Sequence, residues 1–379
     1  MCPPARLRGT LLGGLVGLAL LVGCAAPGGP VAPTPSGAPP ASGASPMAGG
    51  PAAPGGPPAP TRLRFATQFA SGGVAAYLAV DRGYFLQEGI ALEFERFASN
   101  SESIPALATG QVEAGGVSMN AAFWNAAARG VALKAVLDQG SLRPGASFTA
   151  LVIRKDLYDA GRGHTLADLR GLNLVNTPPG KATTNYCAMH YALERAGVPD
   201  HEITIAPLPF PDMPAALANG AIDGGLFAEP FLTHTLKQGT GVFVMGQDAM
   251  YPGLTLNVVA FSPELYQNRP LAKGFIRAYL RASRDYHAAN QGRTSEADRE
   301  QIAATLARYT GLDAATIREI YPTAIDPNGQ PNVESIRYCY QFFRAAGAVP
   351  EPVPEAALEA LWGLDLLEEV LGEIGRVEG

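Results

Sequence analysis

The sequence predicts an α/β protein of two lobes, each a doubly wound, mainly parallel sheet, with a helical carboxyl-terminal region. From residue 61 onward, short apolar or alternating runs typical of strands take turns with runs at helical spacing, which favours crossover helices. A short pattern occurs twice, as PALATGQVEAGG at 105–116 and PAALANGAIDGG at 214–225. Two extended runs, at 148–158 and 256–266, also resemble each other, and we interpret them as crossings between the lobes of a hinged clamshell.

The repeated pattern predicts the same piece of structure in each lobe. In the shared frame Gly110 matches Gly220, and Glu113 matches Asp223. Each copy is expected to form a helix, a glycine in the left-handed conformation that ends it, and a short buried strand.

The first 24 residues have the pattern of an export signal. Arg6 and Arg8 precede an apolar run at 10–22, which is shorter than the roughly 20 residues that span a bilayer as a helix. The run ends in Leu-Val-Gly-Cys, which resembles the lipobox of bacterial lipoproteins, and in that family the residue matching Cys24 is diacylated. We therefore expect an exported protein that is lipid-anchored to a membrane and faces the periplasm or the cell exterior; a plain secretory signal is the alternative.

The rest of the chain divides by composition and pattern. Residues 25–60 contain only Ala, Pro, Gly, Ser, Thr, Val and Met, so they are predicted to form a disordered tether. Residues 61–149 and 258–379 are assigned to lobe 1 with the carboxyl-terminal helices, and 150–257 to lobe 2. The apolar positions of those last helices predict that they cover a sheet rather than form another domain.

Composition argues against several functions. Charged residues are 16% of the chain and the net charge is −6, so there is no basic surface for nucleic acid. The four cysteines, at positions 2, 24, 187 and 339, form no C-x-x-C pair, so neither a disulfide framework nor a zinc site is expected. Cys187 and His190 share a helix face without further ligands nearby, which indicates a structural pair. No metal or cofactor is predicted.

The candidate ligand site comes from a general property of α/β sheets. Ligands bind beyond the carboxyl ends of the strands, where helices begin and offer unpaired N–H groups. The loops and helix starts that follow the expected strands supply the candidates. They are Gln68, Phe69, Ser71, Gly72, Asn100, Ser118, Met119, Asn120, Trp124, Thr177, Thr183, Tyr186, Phe210, Asp212 and Glu229.

Two of these candidates have a second interpretation. Glu229 precedes Pro230, so it either contacts the ligand or is an acid at a helix start. Trp124 lies on an Ala-rich helix, where it is either a stacking wall or part of the core. The run TPPGKATTN is similar to a phosphate loop, but Val175 stands where that loop needs a glycine, which excludes a nucleoside triphosphatase.

Four runs carry a resemblance to a known family. ASGGVAAYLAVDRGYFLQEGIALEFERF, SIPALATGQVEAGGVS, LADLRGLNLVNTPPG and PAALANGAIDGGLFAEPF are similar to solute-binding proteins of bacterial ABC importers, in the nitrate/sulfonate/taurine and thiamine-pyrimidine branch. The likeness covers about residues 61–290. It implies a type II periplasmic-binding fold that closes on a small molecule, delivers it to a permease, and is a monomer when released from the membrane.

The class of ligand is open between two alternatives. The candidate loops contain Asp212, Glu229 and several aromatic residues, with only Lys181 and Arg143 as nearby cations. Acids and aromatic rings favour an aromatic, pyrimidine or flavin-like heterocycle held by stacking and hydrogen bonds. A sulfonate, taurine or nitrate-type anion, which would be expected to meet cations or helix amino ends, is the alternative.

We expect a binding protein rather than an enzyme. The resemblance includes a pyrimidine synthase on the same fold, but the cysteine-rich run of that synthase is missing, because the comparable helix reads NYCAMHYA with a single cysteine. A receptor sensing module is the other alternative, and no signalling segment follows the body.

Overall fold

The structure is a computed structural model that describes residues 59–68, 71–97 and 99–378. The predicted export signal, Cys24, Phe69 and nearly all of the predicted tether lie outside these residues. Among the described residues, no helix combines the length and the apolar character needed to cross a membrane.

The strands are β1 (Thr61–Thr67), β2 (Ile90–Arg96), β3 (Ala114–Ser118), β4 (Lys134–Ser141), β5 (Thr149–Arg154), β6 (Leu174–Asn176), β7 (Ile205–Pro207), β8 (Gly224–Ala228), β9 (Gly241–Gly246) and β10 (Thr255–Phe261).

The helices are α1 (Val74–Asp81), α2 (Tyr84–Gln87), α3 (Ser103–Ala108), α4 (Ala121–Ala128), α5 (Lys155–Asp159), α6 (Thr184–Arg195), α7 (Met213–Ala218), α8 (Phe231–Lys237), α9 (Gln247–Met250), α10 (Pro263–Gln267), α11 (Arg269–Asn290), α12 (Glu296–Thr310), α13 (Ala314–Glu319), α14 (Val333–Ala345), α15 (Glu355–Ala360) and α16 (Leu364–Ile374).

Two five-stranded sheets organise these elements. The order is β2-β1-β3-β10-β4 in the first sheet and β7-β6-β8-β5-β9 in the second, so the two correspond strand for strand. We call the parts of the chain around them the first and the second lobe. In each sheet one strand, β10 or β5, runs antiparallel to both neighbours. The sheets are thus mixed but mainly parallel. The reversed strand is the first one that the chain forms after crossing from the other lobe, so no crossover helix precedes it.

The chain leaves the first sheet after Ser141, enters the second at Thr149, and returns to the first at Thr255. The two connections lie side by side, because the Leu142 amide donates to the Leu254 carbonyl at 2.8 Å and the Gly253 amide donates to the Leu142 carbonyl at 2.7 Å. The sequence analysis predicted that the chain crosses between the lobes at 149/150 and at 257/258.

The sequence repeat corresponds to α3–β3 in one lobe and α7–β8 in the other, as predicted. Gly110 and Gly220 have φ values of 69° and 78°, the left-handed conformation that suits glycine at a helix end. Glu113 accepts a hydrogen bond from the Arg64 amide at 2.7 Å, and Asp223 accepts one from the Asn173 amide at 2.9 Å. In each copy the acid therefore joins the repeat to the equivalent neighbouring strand, since Arg64 lies on β1, Asn173 directly precedes β6, and these two strands occupy the same place in their sheets.

The repeat also ends in a glycine that allows close approach between strands. Gly115 pairs with Ala66, and Gly225 pairs with Val175. A Cβ atom would lie 2.7 Å from the Ala66 Cβ at the first position and 2.4 Å from the Val175 carbonyl oxygen at the second. The pattern occurs twice because in each lobe this glycine allows two neighbouring strands to approach closely, β3 and β1 in the first lobe and β8 and β6 in the second.

The carboxyl-terminal helices cover the first sheet, as the sequence predicted. α11 packs on α1 and α2, and α16 packs on α11 and β4. Phe65, Phe261 and Phe275 are fully buried in the resulting core. Local signals fix the helix ends: the Ser295 hydroxyl caps α12, and Gly311 follows it in the left-handed conformation.

One helix departs from this scheme and corrects the sequence analysis. α14 packs on α4 and β10 of the first lobe and also on α6 of the second. Cys339 of α14 forms a disulfide with Cys187 of α6. The expectation that a disulfide was improbable is therefore wrong for this pair. The sequence could not reveal it, because the two cysteines are 152 residues apart and meet only when α14 lies across both lobes.

Candidate ligand-binding site

The carboxyl ends of β1, β3 and β6 open on a cavity of about 280 Å³ that is lined by residues of both lobes. We call it the interlobe cavity. Its position agrees with the general placement of ligands in α/β sheets. The first lobe lines it with residues after β1 and β3 and with parts of β4 and β10. The second lobe adds the start of β5, the loop after β6 and the start of α6.

The lining is polar but carries no charge. Among the described residues that border the interlobe cavity, none is Asp, Glu, Lys, Arg or His. Hydroxyl and amide side chains supply the polar groups, and Phe148 and Phe210 supply the aromatic surface. The polar side chains on the lining are Thr67, Gln68, Ser71, Ser99, Asn100, Ser101, Ser118, Asn120, Gln139, Ser141, Thr149, Thr177, Thr183, Thr184, Asn185, Asn257 and Thr323.

Three helices of eight residues or more begin at the interlobe cavity. The first turn of α1 has no side-chain cap, and the glycines before it, Gly72 and Gly73, line the cavity. Asn120 caps α4, and Thr183 caps α6 by accepting from the Tyr186 amide at 3.2 Å. A helix amino end carries a partial positive charge, so these three ends add partial positive charge to the uncharged lining.

Hydrogen bonds between lining residues hold the first lobe's side chains in place. Ser118 Oγ donates to Asn257 Oδ1 at 2.7 Å, which joins β3 to β10. Asn120 Nδ2 donates to Ser101 Oγ at 3.1 Å, while its Oδ1 accepts from the first turn of α4. These hydrogen bonds restrict the side chains of Ser101, Ser118, Asn120 and Asn257 on the cavity wall.

Gln139 on β4 is a lining residue that the sequence analysis missed. Its side chain is only 3% exposed, and its Oε1 atom has no hydrogen-bond partner among the described residues. The sequence contains a signal for this residue, because the run LKAVLDQ at 133–139 is an apolar strand that ends in the polar pair Asp-Gln. The rule of reading loops after strands passed over it because Gln139 belongs to the strand itself.

A buried acid lies behind the same wall. Asp138 is fully buried, accepts a hydrogen bond from Ser141 Oγ at 2.6 Å and another from the Asp326 amide at 2.8 Å. Burial raises the pKa of Asp138 to about 7, against the lowering effect of these two hydrogen bonds. Because Ser141 lines the interlobe cavity, this carboxyl group is one hydrogen bond away from it.

The structure brings together most of the residues that the sequence nominated. Nine of them border the interlobe cavity: Gln68, Ser71, Gly72, Asn100, Ser118, Asn120, Thr177, Thr183 and Phe210.

Three nominated residues lie in the core instead. Met119 is fully buried between two lining residues, because side chains along an extended segment alternate in direction. Trp124 is fully buried and packs against Tyr340 of α14 with 4.5 Å between ring centroids, which is the core interpretation of this residue. Tyr186 is buried and its hydroxyl donates to Asp200 at 2.6 Å. None of the three borders the interlobe cavity.

The two acids on which the preference for a heterocycle depended also lie elsewhere. Asp212 is exposed. Glu229 is buried and accepts from the Thr233 amide and hydroxyl at 3.1 and 2.9 Å and from the Tyr321 amide at 3.0 Å. Burial raises the pKa of Glu229, while these hydrogen bonds lower it. Glu229 thus joins the second lobe to the segment after α13 and does not line the cavity.

The two cations considered together with these acids, Lys181 and Arg143, are both engaged in ion pairs. Lys181 Nζ lies 2.7 Å from Asp200 Oδ2, and Arg143 pairs with Asp326. Cys187 and His190, which the sequence analysis paired, make separate structural contacts. The Nδ1 atom of His190 lies 3.2 Å from Asp200, and Cys187 forms the disulfide. No cluster of His, Cys, Asp and Glu suited to a metal ion occurs among the residues that the structure describes.

Comparison with known proteins decides the family. The model of the NMT1-like family matches residues 56–307, which include both sheets and the interlobe cavity except for Thr323 and Ala324. The chain belongs to the NMT1-like family. No curated protein sequence matches this family member.

Solved structures show the same fold in this NMT1-like protein and in periplasmic binding proteins. The aliphatic sulphonate binding protein SsuA of Escherichia coli is 20% identical over 81% of this chain and 92% of its own, with a TM-score of 0.62. The alkanesulfonate-binding SsuA of Xanthomonas axonopodis pv. citri, bound to MOPS, is 20% identical over 80% and 99%, with a TM-score of 0.57.

The nitrate-binding protein NrtA of Synechocystis PCC 6803 is 13% identical over 83% of this chain and 89% of its own, with a TM-score of 0.62. All three are described as binding proteins. These likenesses show that this member of the NMT1-like family has the two-lobed periplasmic-binding-protein fold.

Proposed function

We propose that the protein is the extracytoplasmic solute-binding component of an ABC importer, and that it captures a small organic sulfonate or similar oxyanion between its lobes. The observation that carries this proposal is the interlobe cavity, whose uncharged hydroxyl and amide groups surround three helix amino ends. Such groups stabilise an anion by hydrogen bonds and partial charges without a paired cation.

The structure changes which ligand class we favour. A heterocycle was the first choice because Asp212 and Glu229 were expected to face the ligand, and neither lines the interlobe cavity. A sulfonate needs several donors around its oxygens, and the lining offers many. Phe148 and Phe210 provide an apolar surface for the carbon part of such a molecule.

Size and relatives support the same choice. A cavity of about 280 Å³ lies near the lower end of the range for ligand pockets, which suits a molecule of few heavy atoms. The sulfonate-binding and nitrate-binding proteins named above share the fold and bind small oxyanions.

An aromatic heterocycle remains the second candidate because of the two phenylalanines. Catalysis is disfavoured because the described lining offers no cysteine, histidine or carboxylate to act as nucleophile or base. Delivery to a permease, anchoring through Cys24, the tether and a monomeric state are parts of the proposal that rest on the sequence.

The test is to identify the ligand directly. The purified chain is denatured, any released small molecule is identified by mass spectrometry, and affinity is then measured by calorimetry for alkanesulfonates, nitrate and a pyrimidine. We expect a sulfonate to bind and the pyrimidine not to bind. Recovery of a pyrimidine or flavin would replace the ligand class, and a chemically altered product would replace the binding function with catalysis.

A pair of variants tests whether the ligand binds in the interlobe cavity. Ala146→Trp places a large side chain on the lining of the interlobe cavity and is expected to abolish binding. Ala160→Trp makes the same change at an exposed position at the end of α5 and is the control. Equal affinity in the two variants would mean that the ligand binds elsewhere.

A further inference from the structure

A second cavity adjoins the interlobe cavity on the side of the carboxyl-terminal helices. Its volume is about 230 Å³, and its lining comes mainly from α11, α12, α13 and the segment 320–323 that follows α13. We call it the side pocket. Ser71 and Thr323 line both cavities, and their hydroxyl oxygens are hydrogen-bonded at 3.1 Å. The two cavities therefore share a wall, and part of this wall is one pair of short side chains.

The interior of the side pocket is apolar. The buried side chains that α11, α12 and α13 contribute to the described lining are aliphatic or aromatic: Tyr286, Ala289, Ile302, Ala303, Leu306 and Ile317. Arg299 and Arg318 are exposed at its rim, where the first pairs with Glu296 and the second with Glu300 at 2.9 Å. Because both guanidinium groups already have acidic partners, the space between the helices suits a hydrocarbon group rather than an ionic one.

The second lobe holds one wall of the side pocket in place. The Tyr321 amide donates to Glu229 at 3.0 Å, and the Tyr321 ring stacks on Phe243 of β9 with 5.7 Å between ring centroids. The segment 320–323 is thus attached to the second lobe, whereas α11 and α12 pack on α1 of the first lobe. The side pocket, like the interlobe cavity, is built from contacts to both lobes.

The two cavities have complementary chemistry. The interlobe cavity offers hydroxyl groups, amide groups and helix amino ends, and its volume of about 280 Å³ leaves room for few heavy atoms beyond an anionic group. A long hydrocarbon chain would lie against polar groups there. The side pocket supplies the apolar surface that such a chain needs, and it lies directly behind the shared wall. Together the two cavities match a molecule with a charged end and an apolar tail.

We propose that the side pocket binds the apolar tail of the ligand whose anionic group lies in the interlobe cavity. The ligand is then a sulfonate that carries an alkyl or aryl tail of several carbon atoms. The tail passes between Ser71 and Thr323, whose hydroxyl groups separate when these side chains change rotamer. The choice of sulfonate in this inference rests on the proposed function.

The test measures how affinity depends on the length of the tail. Calorimetry on the purified full chain compares ethanesulfonate, 1-butanesulfonate, 1-hexanesulfonate and 1-octanesulfonate. Burial of one methylene group corresponds to about fourfold in Kd, so we expect 1-octanesulfonate to bind more tightly than 1-butanesulfonate by about tenfold or more. Equal affinity of the long and the short sulfonates would overturn the inference and leave the proposed function intact. If no sulfonate binds, the proposed function fails and the inference fails with it.

Variants show whether the tail lies in the side pocket. Ala303→Leu and Ala289→Leu fill the pocket from two different helices, so in each the gain of 1-octanesulfonate over 1-butanesulfonate should fall to about twofold or less. Ala304→Leu makes the same change at an exposed position of α12 and should retain the full gain.

The gain is a ratio of two affinities within one variant, so a moderate loss of stability does not alter it. Ala289→Leu decides the result if Ala303→Leu does not fold. A gain that persists in a folded variant with the pocket filled would place the tail elsewhere and overturn the inference.

Discussion

Cys187 and Cys339 form a buried disulfide that joins α6, whose amino end borders the interlobe cavity, to α14. α14 also packs on α4, whose cap Asn120 lines the same cavity. The bond therefore connects the second lobe to the carboxyl-terminal region behind the site, in a core that contains residues of both lobes.

Removal of this disulfide should lower stability. Replacing Cys187 and Cys339 together with serine is expected to reduce the free energy of unfolding by about 2–4 kcal/mol, because the cross-link restricts a long loop in the unfolded chain. Chemical denaturation measures the loss. Reducing the unchanged chain should give a similar loss, and a variant as stable as the oxidised chain would contradict the prediction.

Asp138 should make stability depend on pH. Its pKa is about 7 in the folded chain against 3.8 ordinarily, so the folded state keeps a proton that the unfolded state loses between these values. The contribution of Asp138 to the free energy of unfolding therefore falls as pH rises from about 4 to about 7. Asp138→Asn should match the unchanged chain near pH 4 and exceed its stability by about 1–3 kcal/mol at pH 8.

Denaturation curves at several pH values measure the Asp138 effect. Asp212→Asn, which makes the same substitution at an exposed position, is the matched control. A difference between Asp138→Asn and the unchanged chain that stays constant from pH 4 to pH 8 would show that Asp138 does not titrate there.

The two acids outside the cavity lining should affect ligand binding little. Asp212→Asn is expected to leave Kd unchanged. Glu229→Gln should lower the free energy of unfolding by about 1 kcal/mol, because one acceptor for Thr233 or Tyr321 is lost. Calorimetry and denaturation separate the two effects. A large loss of affinity in Asp212→Asn would restore the earlier interpretation of an acidic site.

The glycines that end the repeat should resist substitution in both lobes. Gly115→Ala and Gly225→Ala are each expected to lower the free energy of unfolding by about 1–3 kcal/mol, with the larger effect at Gly225, where the Cβ would meet a backbone oxygen. Gly372→Ala, on α16 with no atom near the new Cβ, is the control and should be neutral or stabilising. Equal effects at all three positions would contradict the packing argument.

Features that depend on local patterns could be predicted from the sequence. The repeat, the paired lobes and the helices over the first sheet follow from periodicity and from glycines whose φ or close packing is a local requirement. The direction of β5 and β10 could not be predicted, because an apolar strand has the same pattern in parallel and antiparallel sheets.

The site was predictable only in part. Loops after strands led to Ser118 and Thr183, but the same rule included Met119, whose side chain points to the opposite side from its neighbours. Gln139 ends an apolar run, which is a local signal, but its place on the lining depends on a register shift between β4 and β10. Thr323 has no local signal, since it reaches the cavity from the carboxyl-terminal region.

The side-by-side connections have a consequence for how such a protein can be rebuilt. Because the chain leaves the first lobe at Leu142 and rejoins it at Leu254, which are hydrogen-bonded neighbours, the segment between them can be exchanged as one piece while the strand order of the first sheet is kept. Nine of the 27 described lining residues lie in this segment, so a chimera could recombine ligand preferences from two parents. The exchange must also keep a cysteine opposite Cys339, or the transplanted segment loses its disulfide to α14.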